Sequence, residues 1–175
     1  CPEIHQNYIH HIFTKRLEES LLNNEIDLAV HSLKDMPTLL QPGLSLAAYM
    51  EREDPRDALI SKGAGSVREL PEAGVVATGS LRRRAQLLAE RPDLQISNLR
   101  GNVETRLRKF EESDWAAMIL AVAGLKRLGL EKRITAPLSF SEMIPAPAQG
   151  VVAVECRSDD TRMLELTAPI TDRDA

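Results

Sequence analysis

Lys34 and Asp35 sit in the run Val30-His31-Ser32-Leu33-Lys34-Asp35-Met36-Pro37-Thr38. The apolar stretch Ile26 to Val30, with Asp27 in it, reads as a short buried strand, and Pro37 stops any regular continuation. A cation and a carboxylate are thereby delivered to a strand end, the usual place for chemistry in α/β folds. A carboxylate there can move protons and hold positive charge on a bound molecule. The same residues also make a plain turn with two solvated charges, and spacing alone does not separate the two readings.

The arginines form a second constellation. Arg82, Arg83 and Arg84 fall in the first turn of a helix capped by Ser80. Cations there oppose the helix dipole at a cost of about 0.3–1 kcal/mol each. The same turn offers free backbone N–H groups, so a docked anion would reconcile the two. Arg100 precedes the turn Gly101-Asn102, and Arg106 lies early in the next helix. Lys126 and Arg127 follow a third strand. Arginine grips carboxylate and phosphate through paired hydrogen bonds. There is no GxxxxGK[ST] or GxGxxG loop for phosphate. A net charge of -4 and 3% aromatic residues argue against nucleic acid. A small molecule with several carboxylates fits best.

The elements that position these groups follow from periodicity. Phe13, Leu17, Leu21 and Leu22 predict a helix over residues 14–24. Strands are expected at Leu44 to Met50, Ala58 to Ser61, Val75 to Ala77, Leu94 to Leu99, Ala116 to Val122 and Val151 to Val154. Helices are expected at Leu81 to Arg91, Val103 to Glu112 and Gly124 to Leu128, and from a cap at Ser158 or Asp159 through Leu166. This alternation predicts an α/β fold with a largely parallel sheet. Breaks near residues 51–57 and 145–150 divide the chain into residues 51–150 and a second domain made of 1–50 with 151–175. The outer pieces supply too few strands for a sheet of their own. Cys1, His5, His10 and His11 lie in an aperiodic segment and are not expected to bind metal. No apolar run approaches the roughly 18 residues of a membrane span, and the two cysteines give no disulfide framework.

Several segments together resemble the porphobilinogen deaminase (hydroxymethylbilane synthase) family. They are Ile26 to Thr38, Glu51 to Ala58, Ser80-Leu81-Arg82-Arg83, Leu99 to Val103, Thr105-Arg106-Leu107 and Leu120 to Gly129. The resemblance runs from about Ile12 to about Leu166. It implies a periplasmic-binding-protein-like (type II) pair of domains and head-to-tail condensation of four porphobilinogen molecules with loss of ammonia. It also implies a dipyrromethane cofactor held in a cleft between the two domains. Asp35 matches the catalytic aspartate, which handles protons at pyrrole nitrogens and stabilises the cationic azafulvene. Lys34, Arg82, Arg83, Arg100, Arg106 and Arg127, with Ser80, match residues that hold the cofactor and substrate. A cytoplasmic, usually monomeric enzyme with neither nucleic acid nor membrane as partner is implied.

Departures qualify the resemblance. The family's preceding segment with an Arg-x-Ser motif and its third domain, which bears the cofactor-attaching cysteine, have no counterpart here. Domain one is therefore expected to be incomplete and to expose apolar surface, and the isolated chain to be weak or inactive and free of covalent cofactor. Residues 1–11 are not expected to match. Cys156 reads as a small buried hydrophobe rather than the attachment cysteine. Gly79 stands where the family usually has serine, and Arg16 where it usually has an acid. The alternative reading is a non-catalytic binding module for a small polycarboxylate.

Overall fold

The computed structural model describes residues 14–174, which divide into two compact units. One comprises the chain up to Glu53 with the chain from Val151 onward, and the other comprises Asp54–Gly150.

The Asp54–Gly150 unit is built on a five-stranded sheet, spatial order β5-β4-β6-β3-β7. Its strands are β3 (Asp57–Ser61), β4 (Val75–Ala77), β5 (Gln95–Ser97), β6 (Ala117–Ala121) and β7 (Ala136–Pro137). Alternation sorts the side chains onto two apolar faces. Ala58, Ile60, Ala77, Met118 and Leu120 turn one way, onto Leu107 and Phe110 of α3 (Val103–Glu112) and Leu125 of α4 (Val122–Arg127). Leu59, Val76, Ala117 and Ile119 turn the other way, onto Leu87 of α2 (Leu81–Glu90) and onto Val67 and Leu70. Leu59, Met118 and Ile119 are essentially fully buried, each stabilising the unit by roughly 1.5–3 kcal/mol.

The sheet is mixed rather than largely parallel. β4 runs parallel to β5 and β6, while β3 is antiparallel to both β6 and β7. Asp57, the first residue of β3, therefore pairs with Ala121, the last of β6. The start of β3 lies at the edge where β4, β5 and β6 end.

In the other unit, residues 14–22 are helical (α1). β1 (Ala29–Ser32), β8 (Val152–Arg157) and β2 (Leu44–Tyr49) form an antiparallel sheet in the order β1-β8-β2. The outer pieces thus do make a sheet, because the returning strand β8 is long enough to be its centre. β1 begins three residues later than the apolar run suggests and includes His31 and Ser32. Leu21, Ala29 and Leu44 form a small core. α5 (Thr161–Thr167) is capped by Asp160, whose carboxylate accepts from the Met163 N–H at 3.1 Å, rather than by Ser158 or Asp159. Arg157 ties this unit together. Its guanidinium donates to the carbonyls of Leu21 and Ile26 and to the carboxylates of Asp27 and Asp160. Val30 and Leu39 are exposed, at 65% and 87%. Among the described residues no helix is long and apolar enough to cross a membrane.

Candidate active site

Two turns bring arginines to the edge where β4 and β5 end. After β4, the chain turns through Thr78 and Gly79 to Ser80, whose hydroxyl accepts from the Arg83 N–H at 3.4 Å and caps α2. After β5, Arg100 and Gly101 lead to Asn102, whose side chain accepts from the Thr105 N–H at 2.8 Å and caps α3. Gly101 has φ +121°, and a Cβ there would lie 2.8 Å from Thr105 Cγ2. Only glycine fits this turn. Arg106 folds back so that its Nε donates to the Gly101 carbonyl at 2.7 Å. Arg100 is exposed, and Arg106 is half-buried.

The first-turn cations of α2 meet an internal anion. Asp57 is fully buried. Its Oδ1 accepts from Arg83 Nε (3.1 Å), Arg83 Nη2 (2.7 Å) and Gln149 Nε2 (2.9 Å). Its Oδ2 accepts from Arg82 Nη2 at 2.7 Å. Burial pushes the Asp57 carboxyl up. The charge of Arg83 and hydrogen bonds from Arg83, Gln149 and Arg82 outweigh it and hold the group below the usual carboxylate range. Arg83 also donates through Nη1 to the Ile119 carbonyl at 3.2 Å and is itself buried. Arg83 is thus engaged with the fold, whereas the sequence reading has it waiting for an external anion.

Lys126 and Arg127 fall in the last turn of α4 rather than at a helix start, where cations complement the dipole. Arg127 Nη2 donates to the Gly150 carbonyl at 2.6 Å. In the crossover nearby, Arg56 forks onto Asp54 through Nε and Nη2. The Arg56 bonds lower the Asp54 carboxyl despite partial burial.

In the other unit, Lys34 and Asp35 occupy one 3-10 turn, Leu33–Asp35, directly after β1. The Leu33 N–H donates to the Val151 carbonyl at 3.0 Å, and the Met36 N–H closes the turn on the Leu33 carbonyl at 3.1 Å. Both charged side chains are exposed to solvent. Beneath them His31 Nε2 lies 3.2 Å from Glu155 Oε2, with both residues buried. Glu155 Oε1 has no hydrogen-bond partner among the described residues. Cys156 is a free, fully buried thiol on β8 that burial pushes upward. Among the described residues no three His, Cys, Asp or Glu side chains could hold a metal ion. Cys1, His5, His10 and His11 lie outside the described residues.

Asp57, Gln149 and the His31–Glu155 pair carry no assignment in the sequence reading. For Asp57 a signal exists: a carboxylate opens the otherwise apolar strand Asp57-Ala58-Leu59-Ile60. A charge in such a place calls for a partner.

Dipyrromethane carries acetate and propionate side chains. The donor set at this edge, guanidiniums and a capping hydroxyl at two helix starts, suits such carboxylates.

Residues 3–165 match the family described as "Porphobilinogen deaminase, dipyromethane cofactor binding domain". That match begins well before residue 12, so the aperiodic opening segment belongs to it after all. The chain is 53% identical to a porphobilinogen deaminase of Syntrophomonas wolfei, covering 94% of this chain and 54% of that protein. A Bacillus cereus porphobilinogen deaminase is 52% identical over 92% of this chain and 52% of its own length. The chain thus spans about half the length of the curated relatives it matches. Among solved structures it is similar to a putative methionine-binding lipoprotein of Bacillus subtilis. The TM-score is 0.56 at 13% identity, over 91% of this chain and 76% of the other. It is also similar to a periplasmic substrate-binding protein of Coxiella burnetii, with a TM-score of 0.55 at 15% identity, over 89% and 75%. These likenesses establish a type II periplasmic-binding-protein-like fold. The chain belongs to the porphobilinogen deaminase family and matches its dipyrromethane cofactor-binding domain.

Proposed function

We propose that this chain supplies the acid and the carboxylate clamps of hydroxymethylbilane synthesis, the stepwise head-to-tail condensation of four porphobilinogen molecules with loss of ammonia. The observation that carries the reading is the gathering of Ser80, Arg82, Arg100 and Arg106 at the ends of two parallel strands in a chain of this family. Bound dipyrromethane supplies the pyrrole terminus to which substrate units are joined.

The chain's own residues do the rest. Arg82, Arg100 and Arg106 bind and orient acetate and propionate groups, with Ser80 adding a hydroxyl and Arg127 a further cation. Lys34 is one more carboxylate clamp. Asp35 accepts hydrogen bonds from pyrrole N–H groups and holds the positive charge that develops when the substrate's amine leaves. A carboxylate does both by charge and by proton transfer. Arg83 serves from within, through Asp57. The enzyme works in the cytoplasm as a monomer, with porphobilinogen as its small-molecule partner.

The test is a graft. Residues 14–166 replace the matching segment of the Bacillus cereus relative, and conversion of porphobilinogen to hydroxymethylbilane is followed. Turnover within about tenfold of the parent supports the reading. A folded graft without turnover overturns it.

A further inference from the structure

We propose that Asp57 is a positioning residue of the anion site, fixing Arg82 for a ligand carboxylate while Gln149 and Arg83 fix Asp57. This rests on the reading that the arginine edge holds pyrrole carboxylates, and it assigns the support of that edge.

The two oxygens of Asp57 have separate duties. Oδ1 takes all three hydrogen bonds from the buried groups Arg83 and Gln149. Oδ2 takes the single bond from Arg82. Arg82 is the outer member of the network, its side chain 25% exposed against 7% for Arg83. It is held at a second point through Nη1, which donates to the Ile144 carbonyl. Gln86 fixes Ile144 in turn, accepting from its N–H at 2.7 Å and donating to its carbonyl at 3.1 Å. A free arginine loses side-chain freedom on being pinned. Held this way beforehand, Arg82 loses little more when a carboxylate binds.

Charge points the same way. Two guanidiniums facing one carboxylate leave the cluster one net positive charge, and Arg82 is its more exposed cation. Gln149, being neutral, fixes Asp57 without altering that balance. Its backbone setting is particular. Ala148 at φ +57° and Gly150 at φ +97° flank it, and the first of these lies in the left-handed region that a residue with a Cβ adopts only at a cost. The amide is thereby buried, and its Nε2 also donates to the Pro55 carbonyl at 2.7 Å. One side chain so pins both the strand entering β3 and the carboxylate that opens it.

The experiment titrates the full chain with porphobilinogen by calorimetry, following the Arg82 Nε–H resonance by NMR. Asp57→Asn and the near-isosteric Gln149→Met are compared with wild type. Expected are tenfold or greater weakening in Asp57→Asn and three- to tenfold in Gln149→Met. In both folded variants the Arg82 resonance no longer responds to ligand as it does in wild type, a change that a purely structural role would not produce. If Asp57→Asn does not fold, Gln149→Met decides alone. Wild-type affinity and an unchanged Arg82 response in the folded variants overturn the proposal while leaving the function reading intact. If wild type itself does not bind porphobilinogen, the arginine edge does not hold this ligand's carboxylates and the assignment of Asp57 fails, while turnover of the graft judges the function reading separately.

Discussion

Arg83 reaches one oxygen of Asp57 through both Nε and Nη2, at 3.1 and 2.7 Å, and all of these atoms are buried. Three consecutive arginines in the first turn of α2 are tolerable because this carboxylate stands at the head of the helix. Breaking a buried pair by removing one partner typically costs about 3–5 kcal/mol, since the other charge is left without compensation.

Acid sensitivity follows from the same pair. The folded-state pKa of Asp57 lies below its ordinary value. Its stabilising contribution is therefore complete above the unfolded carboxylate pKa near 3.8 and is lost as pH falls through the lower folded value. Asp54, Glu142 and Asp160 are lowered as well and act in the same direction. Urea unfolding at stepped pH is expected to show stability falling below about pH 4. Asp57→Asn is expected to start lower and fall less steeply. An identical slope in that variant would count against the role given to Asp57.

Much of this unit is legible from residue order alone. Unbroken apolar runs in Ala58 to Ile60 and Ala117 to Leu120 announce strands buried on both faces, and Ser80 and Asn102 announce helix starts. The pairing of Asp57 with Arg82 and Arg83 is not legible in that way, because β3 runs antiparallel to β6 and nothing local to either segment encodes that direction. The centre of the three-stranded sheet is hidden for the same reason: β8 lies more than a hundred residues from its partners. Lys34 and Asp35 are legible because their turn is local, closed by Met36 and stopped by Pro37.

The buried His31–Glu155 contact should behave as a coupled pair. His31→Leu leaves the fully buried Glu155 side chain without its only side-chain partner among the described residues and is expected to cost about 3–5 kcal/mol. The double variant His31→Leu/Glu155→Met removes both polar groups and should regain most of that loss. A double-mutant cycle from chemical denaturation measures the coupling. Additive single-variant losses would show that the two side chains do not depend on each other.

The two helix caps differ in geometry and should differ in worth. Asn102 receives its bond at 2.8 Å and Ser80 at 3.4 Å. Asn102→Ala is expected to cost about 1 kcal/mol, in the ordinary range for a lost cap. Ser80→Ala should cost clearly less in stability and show its effect chiefly in porphobilinogen affinity. Denaturation midpoints with parallel calorimetric titrations test this, and equal stability losses would contradict the ranking.

Asp35 carries the central claim, and the direct measurement is porphobilinogen turnover by the Bacillus cereus graft bearing residues 14–166, with and without Asp35→Asn. Asp35 is exposed on a surface turn, so the substitution should leave the melting temperature nearly unchanged. Loss of a carboxylate that moves protons and balances developing charge is expected to lower turnover by at least about 100-fold. Turnover within a few-fold of the unsubstituted graft would contradict the assignment of Asp35 as the catalytic acid.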